Sequence, residues 1–208
     1  MVGLIGKKIG MTQVFDEGGV LIPVSVIQAG PCPVVQVKTT EHDGYNALQL
    51  AFEQVRPTRV SLPKLGHFHK VGLPPYRNLQ EFRVDDTAGF EPGQLLDVGI
   101  FKDVKLVNVT GMTKGKGYQG VVKRHGFHGG KATHGSMSHR VPGSIGMAAY
   151  PSRVLKGQKL PGRMGHNRFT IRNLKVVGID VENGVLLVRG AVPGSRNTVL
   201  RVTAATAG

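Results

Sequence analysis

Residues 110–168 read TGMTKGKGYQGVVKRHGFHGGKATHGSMSHRVPGSIGMAAYPSRVLKGQKLPGRMGHNR, and this stretch decides how the rest of the chain is read. It is rich in glycine and cations, poor in large apolar side chains, and free of Asp and Glu. The acid-free run extends past both ends: the 76 residues between Asp103 and Asp180 hold 14 Lys and Arg and no carboxylate. Over 208 residues there are 27 Lys and Arg against 13 Asp and Glu, so the other 132 residues carry 13 of each sign. The net charge of +14 therefore lies wholly inside the run. Like charges at this density repel one another unless a polyanion replaces their counterions, and nucleic acid is the common polyanion. A solvated basic tail is the alternative, but this segment is internal and framed by apolar runs.

On both sides of the stretch the pattern changes to short runs of strand type. Upstream these are Val20–Gln28, Val34–Thr39, Ala47–Phe52, Leu79–Val84, Leu95–Phe101 and Leu106–Val109. Ala29-Gly30-Pro31 supplies a turn after the first, and His42-Asp43-Gly44 is a hairpin connection. Lys64–Pro75 (KLGHFHKVGLPP) reads as irregular, because Gly and Pro interrupt it. Downstream, strands return at Phe169–Ile179, Val185–Arg189 and Thr198–Thr203, the last two separated by the turn-like GAVPGSRN of residues 190–197. Inside the basic stretch only Tyr118–His125 has a helical pattern. The expected fold class is mainly β. Its body is built from residues 1–112 and 169–208, and a basic, Gly-rich extension over residues 113–168 leaves that body and returns.

A connection of about fifty residues without regular structure is uncommon in a compact domain. The charge gives it a reason: such a loop orders against RNA or DNA. As a hairpin with roughly 27 residues per arm it reaches at most ~90 Å, at ~3.3 Å per residue. The composition agrees, since 30 Gly and 12 Pro beside 40% apolar residues suit turn-rich β structure with irregular backbone. The length suits one large domain or two small ones.

Other classes are disfavoured. Cys32 is the single cysteine, so no intrachain disulfide or four-cysteine zinc site exists, and its expected role is a small buried side chain. The start, MVGLIGKKIGMTQVF, has too short an apolar run before Lys7 and Lys8 for a secretory leader. Val20–Val37 is uncharged over 18 residues, but Pro23, Pro31 and Pro33 make it two strands around a turn rather than a membrane span. The expectation is a soluble, cytoplasmic protein.

Gly115-Lys116-Gly117-Tyr118-Gln119-Gly120 satisfies G-x-G-x-x-G between a predicted strand and a possible helix. The ribose-binding acid expected about 20 residues later is missing, since none occurs before Asp180. Gly111–Lys116 also fails as a phosphate loop, because Gly117 stands where Ser or Thr is required. These glycines instead let backbone approach phosphates, with Lys114 and Lys116 beside them. His125, His128, His134 and His139 lack the preorganised spacing and nearby Cys or carboxylate that zinc favours, so no metal or cofactor is expected. Histidine here suits phosphate, ribose or base contacts. Ser144 in PGSIG lacks the Gly that a nucleophile elbow needs at Pro142, and no acid in the segment orients a base. Asp16/Glu17 and Asp85/Asp86 read as solvated loops, and no catalytic residue is assigned.

The RNA-binding candidates are Lys114, Lys116, Lys123, Arg124, His128, Lys131, His134, His139, Arg140, Arg153, Lys156, Lys159, Arg163, His166 and Arg168. The arginines suit bidentate phosphate contacts and the lysines point-charge contacts. Tyr118, Phe127 and Tyr150 either stack on unpaired bases or pack locally.

Phe101–Arg124 (FKDVKLVNVTGMTKGKGYQGVVKR) resembles the signature of the universal large-subunit ribosomal protein L-three family. The matching positions are Phe101, Asn108, Gly111, Thr113, Gly115, Lys116, Gly117, Gly120 and Arg124. GLIGKKIGMTQVF near the start, AGPCPVVQ at 29–36, HRVPGSIG at 139–146 and LLVRGAVPG at 186–194 are similar to the bacterial form, as is the length. The resemblance implies a translation-factor-like six-stranded Greek-key β-barrel with a small inserted portion. It implies a long basic loop that penetrates large-subunit ribosomal RNA toward the peptidyl-transferase centre, with a tip around Arg140, Gly143, Ser144, Met147 and Tyr150. It also implies a role early in subunit assembly, neighbouring ribosomal proteins as partners, no membrane, no small-molecule substrate, and peptide-bond chemistry left to RNA. Many bacterial relatives carry a Gln after GSIG that is methylated in some of them. Met147 stands there in this chain, so that modification is not expected. A free-standing RNA chaperone or general nucleic-acid binder is the competing reading.

Overall fold

Alternation of apolar and polar side chains builds a β framework on either side of the basic stretch. The computed structural model describes residues 3–205. Before the stretch come β1 (Gly3–Phe15), β2 (Leu21–Ala29), β3 (Cys32–Lys38), α1 (Thr40–Asp43), β4 (Ala47–Gln54), α2 (Leu62–His69), β5 (Tyr76–Arg83), β6 (Leu95–Leu96) and β7 (Leu106–Met112). Within it lie β8 (Tyr118–Gln119), α3 (Val121–His125) and β9 (Gly162–Arg163); after it come β10 (Arg168–Asp180), β11 (Val185–Arg189) and β12 (Val199–Ala204). The chain divides into two units, one formed by Met1–Met112 with Arg168–Gly208 and the other by Thr113–Asn167.

In the first unit, six antiparallel strands close into a barrel in the order β1-β12-β7-β10-β11-β2. Every second residue points inward, as strand geometry requires. Val107 and Val109 of β7, Leu186 and Val188 of β11, and Leu200 and Val202 of β12 are all fully buried. Closure needs local bends, and β10 bends at a bulge between Ile171 and Leu174 in its pairing with β7. There Asn173 takes φ +58° and donates its N–H to Asn108 Oδ1 at 2.9 Å, so the neighbouring strand satisfies the group that leaves the ladder.

A four-stranded sheet in the order β5-β4-β3-β6 adds to this body. Leu48, Leu50 and Phe52 of β4, with Val34 and Phe82, join the same buried cluster as Leu4, Ile5 and Ile27 of the barrel. Val35 and Ala51 instead meet Phe68 of α2, with Val60, Leu73, Tyr76 and Leu79 around them. Cys32 is fully buried and its thiol donates to the Ile5 carbonyl at 3.3 Å, as expected of a small core residue.

Three local readings need correction, and one strand has no counterpart among the sequence-based expectations. GLIGKKIGMTQVF forms the 13-residue β1, although its glycines weaken a strand pattern. One of those glycines is required by packing, because a Cβ on Gly6 would lie 2.8 Å from the Gln28 carbonyl oxygen. Residues 64–75 are not all irregular: α2 covers Leu62–His69, with Pro63 in the first turn, where its missing donor costs nothing, and Phe68 as its buried anchor. Leu95–Phe101 is a strand only at Leu95–Leu96; Asp97 then accepts the Gly99 N–H at 2.9 Å and caps a 3₁₀ turn over Val98–Phe101. Tyr118–His125 is divided by Gly120 into β8 and the five-residue α3. The His42–Gly44 connection does join an antiparallel pair, β3 and β4, by way of α1 with Gly44 at φ +79°.

Candidate nucleic-acid interface

The unit Thr113–Asn167 is two arms tied at one end by backbone. Thr113 donates its N–H to the Asn167 carbonyl at 2.9 Å, and Asn167 donates its own to Thr113 Oγ1 at 3.2 Å. The Lys116 N–H meets the Met164 carbonyl and the Met164 N–H meets the Gly117 carbonyl, both at 2.9 Å. Next come β8 and β9, paired Tyr118 to Arg163 and Gln119 to Gly162. Gly165 lies so close to the other arm that a Cβ would sit 2.1 Å from the Lys114 carbonyl oxygen, and its φ of +73° suits glycine as well. The G-x-G-x-x-G stretch is therefore half of an antiparallel ribbon. It is not the entry to a βαβ unit, which removes the geometry a dinucleotide turn needs.

α3 closes on Gly126, which takes φ +75° and returns its N–H to the Val122 carbonyl at 3.0 Å. Lys123, Arg124 and His125 occupy its last turn, where the helix dipole favours cations. Arg124 donates through Nη1 to the Leu160 carbonyl, and His125 Nε2 lies 3.1 Å from the same oxygen. Arg124 is half-buried, so part of its guanidinium braces the two arms. His139 also has a local task, with Nδ1 3.0 Å from the Lys131 carbonyl.

Beyond this base the unit has almost no interior. Val121 is its one buried residue among those described. Lys114, Lys116, Lys123, His128, Lys131, His134, Arg140, Arg153, Lys156, Lys159, Arg163 and His166 are exposed, as is His139. No carboxylate occurs in residues 113–167, so none of these cations has an acid within its own unit. Arg168 is exposed too, but it belongs to the barrel unit as the first residue of β10.

The implied tip residues Gly143 and Ser144 are exposed, with Ser144 Oγ donating to the Gly146 carbonyl at 3.1 Å. Met147 is 65% exposed and Tyr150 89%. The three aromatic residues separate: Phe127 is half-buried with its ring 6.1 Å from that of His125, whereas Tyr118 is 76% exposed and Tyr150 is open. Two rings thus remain free to stack on bases.

Chemically this is a surface of donors and fixed positive charge, with a few uncovered apolar groups. Among the described residues no three His, Cys, Asp or Glu side chains converge as a metal site. No helix among them is long and apolar enough to cross a membrane.

Comparison with known proteins gives one consistent result. A family model described as Ribosomal protein L3 matches residues 86–184. The chain is 50% identical over 207 residues to the large ribosomal subunit protein uL3 of Corynebacterium glutamicum, covering 99% of this chain and 95% of that one. It is 49% identical over 205 residues to the protein of the same name from Synechococcus elongatus, covering 99% and 96%. Against the one from Carboxydothermus hydrogenoformans it is 50% identical over 206 residues, covering 99% and 98%. With identity at this level from end to end, the chain belongs to the ribosomal protein L3 family.

Proposed function

We propose that this chain is a structural component of the large ribosomal subunit and resides in the cytoplasmic ribosome. The observation that carries the reading is 50% identity, over 99% of the chain, to a protein named for that subunit. The finer reading is that it binds large-subunit ribosomal RNA directly, joins early in assembly, and directs residues 113–168 toward the peptidyl-transferase centre. In support of RNA as the partner, the extension offers exposed cations without acids and has too little core to hold its arms by itself.

The mechanism is charge replacement. Lys and Arg on the two arms take the place of counterions between close-packed RNA helices, and the body anchors them. Arginines supply bidentate phosphate contacts, lysines and histidines single ones, and Tyr118 and Tyr150 stack on unpaired bases. Arg140, Gly143, Ser144, Met147 and Tyr150 form the tip. Neighbouring ribosomal proteins and RNA cover apolar groups such as Met137, which is 95% exposed. On this reading the barrel is of the translation-factor type with Greek-key connections, and the four-stranded sheet is the inserted portion. The chain performs no catalysis, and peptide-bond formation belongs to the RNA.

The test is sedimentation of a cell extract through a sucrose gradient. One peak with the large subunit, near one copy per particle and stable to a high-salt wash, is the expected result. A spread through the light fractions, or loss at moderate salt, would sink the structural role and favour a free-standing RNA chaperone.

A further inference from the structure

The neutral total charge outside the long basic run conceals a second run of one sign. From Gln54 to Gln80 the chain carries Arg56, Arg59, Lys64, Lys70 and Arg77 and no Asp or Glu. All five cations are exposed. Arg77 lies 3.9 Å from Glu53, a carboxylate that Lys7 also holds at 3.1 Å. The other four make no ion pair among the described residues.

The fold gathers three of these cations around one concavity. After β4 the chain turns through a short 3₁₀ segment, Pro57–Arg59, enters α2 at Leu62, and returns along β5 from Tyr76. Arg59, Lys64 and Arg77 line a single cleft together with Ser61 and Tyr76. Its floor is fixed, because Val60 and Tyr76 pack on the cluster around buried Phe68, with the Phe68 and Tyr76 rings 5.9 Å apart. Ser61 sits at the N-cap of α2 and its hydroxyl makes no capping bond, so it adds a free donor beside the cations.

We propose that this cleft holds a phosphodiester of structured RNA, giving the body a phosphate contact of its own, and the proposal rests on the ribosomal reading above. The composition favours RNA over a protein partner. Arg and Tyr also occur at protein interfaces, but Lys is depleted there, and this cleft presents three cations, the Ser61 and Tyr76 hydroxyls and no carboxylate. That is the inventory of a phosphate-contacting surface. The two arginines bring planar forks and Lys64 a point charge, so neighbouring phosphate oxygens are held from several directions.

The first test is binding of the full-length protein to purified large-subunit ribosomal RNA across a salt titration. Arg59→Gln, Lys64→Gln and Arg77→Gln combined are expected to weaken binding by roughly 50- to 500-fold at ~0.1 M salt. The slope of log affinity against log salt should also flatten by about two to three, at ~0.7–0.9 per phosphate lost. The extension variant Lys156→Glu/Lys159→Glu is measured beside it. If the wild type binds and the extension variant weakens, but the triple variant keeps both affinity and slope, the cleft proposal falls and the ribosomal reading stands. A wild type that does not bind this RNA overturns both.

The second test does not depend on affinity. Cys32 is buried, and burial pushes its thiol up to about 12, so a cysteine introduced by Ser61→Cys is the one reactive thiol. With an iron chelate tethered there, assembled large subunits are expected to show cuts at a few adjacent nucleotides. Cleavage confined to a neighbouring polypeptide, or intact RNA in subunits that have incorporated the labelled protein, would overturn the proposal.

Discussion

Lys8 is the residue at which charge and burial meet. It is 8% exposed, and its ammonium donates to the carbonyls of Val192 at 3.0 Å and Gly194 at 3.3 Å. Its own N–H and carbonyl meet Thr198 and Asn197, so this one residue of β1 pins the 190–197 loop against the barrel. Lys8→Met keeps the stem and removes the donor, and should lower stability by about 1–3 kcal/mol, read as a lower urea midpoint. Nothing in GKKIG distinguishes Lys8 from Lys7, because the carbonyls that bind it lie 184 and 186 residues away. Glu81 is tied more loosely. The Tyr45 hydroxyl at 2.8 Å and then Lys38 at 3.1 Å hold its carboxyl below the ordinary carboxylate range. A depressed folded value means that stabilisation is complete above the ordinary carboxylate range and is lost as pH falls through the folded value. The stability gap between wild type and Glu81→Gln should be largest near neutrality and close in acid. It should stay under about 1 kcal/mol, because the pair is partly solvated. A gap that widens in acid would refute the assignment.

The strands that alternate strictly were legible in sequence, and the elements held by distant contacts were not. In β7 and β12 the inward positions follow period two, so Val107, Val109, Leu200 and Val202 announce themselves. β1 escaped because its glycines carry no hydrophobic signal, yet Gly6 is there because the neighbouring strand leaves no room for a side chain. α2 escaped because Gly66 and Pro63 read as breakers, whereas Pro in a first turn is harmless and Phe68 anchors the helix against β3 and β4. In the extension, position in the sequence revealed the charge but not the division of labour, since only geometry turns Arg124 inward to Leu160. The cleft cations Arg59, Lys64 and Arg77 were hidden by an average, because the acids that balance them lie elsewhere in the body. The extension also sets an expectation for the free protein. With Val121 as its one buried residue among those described, its arms lack the packing that resists local opening. Limited trypsin digestion should cut first between Lys114 and Arg168, leaving fragments of the body. Uniform resistance over that span would contradict this picture.

At the scale of the whole molecule, the chain assigns folding and charge to different segments. Buried side chains sit almost entirely in the barrel unit, and the excess positive charge sits between Asp103 and Asp180. Binding to isolated RNA should therefore be strongly salt-dependent. If six to ten phosphates are contacted, affinity should fall by ~10³–10⁵ between ~50 and ~200 mM salt, taking duplex DNA as the guide. Reversing charge on one arm with Lys156→Glu/Lys159→Glu should leave thermal unfolding of the body unchanged and impair incorporation into subunits, measured by the variant's share of gradient-purified particles. Normal incorporation would remove that arm from the binding surface. The pairing of Met112 with Arg168 across β7 and β10 has a further consequence. The excursion departs and re-enters at facing positions, so to the barrel it is only the loop of a hairpin, and the entropy of closing a loop grows slowly with its length. The length of the excursion therefore weighs little on the folding of the barrel, so its sequence answers to what it binds rather than to the body that carries it.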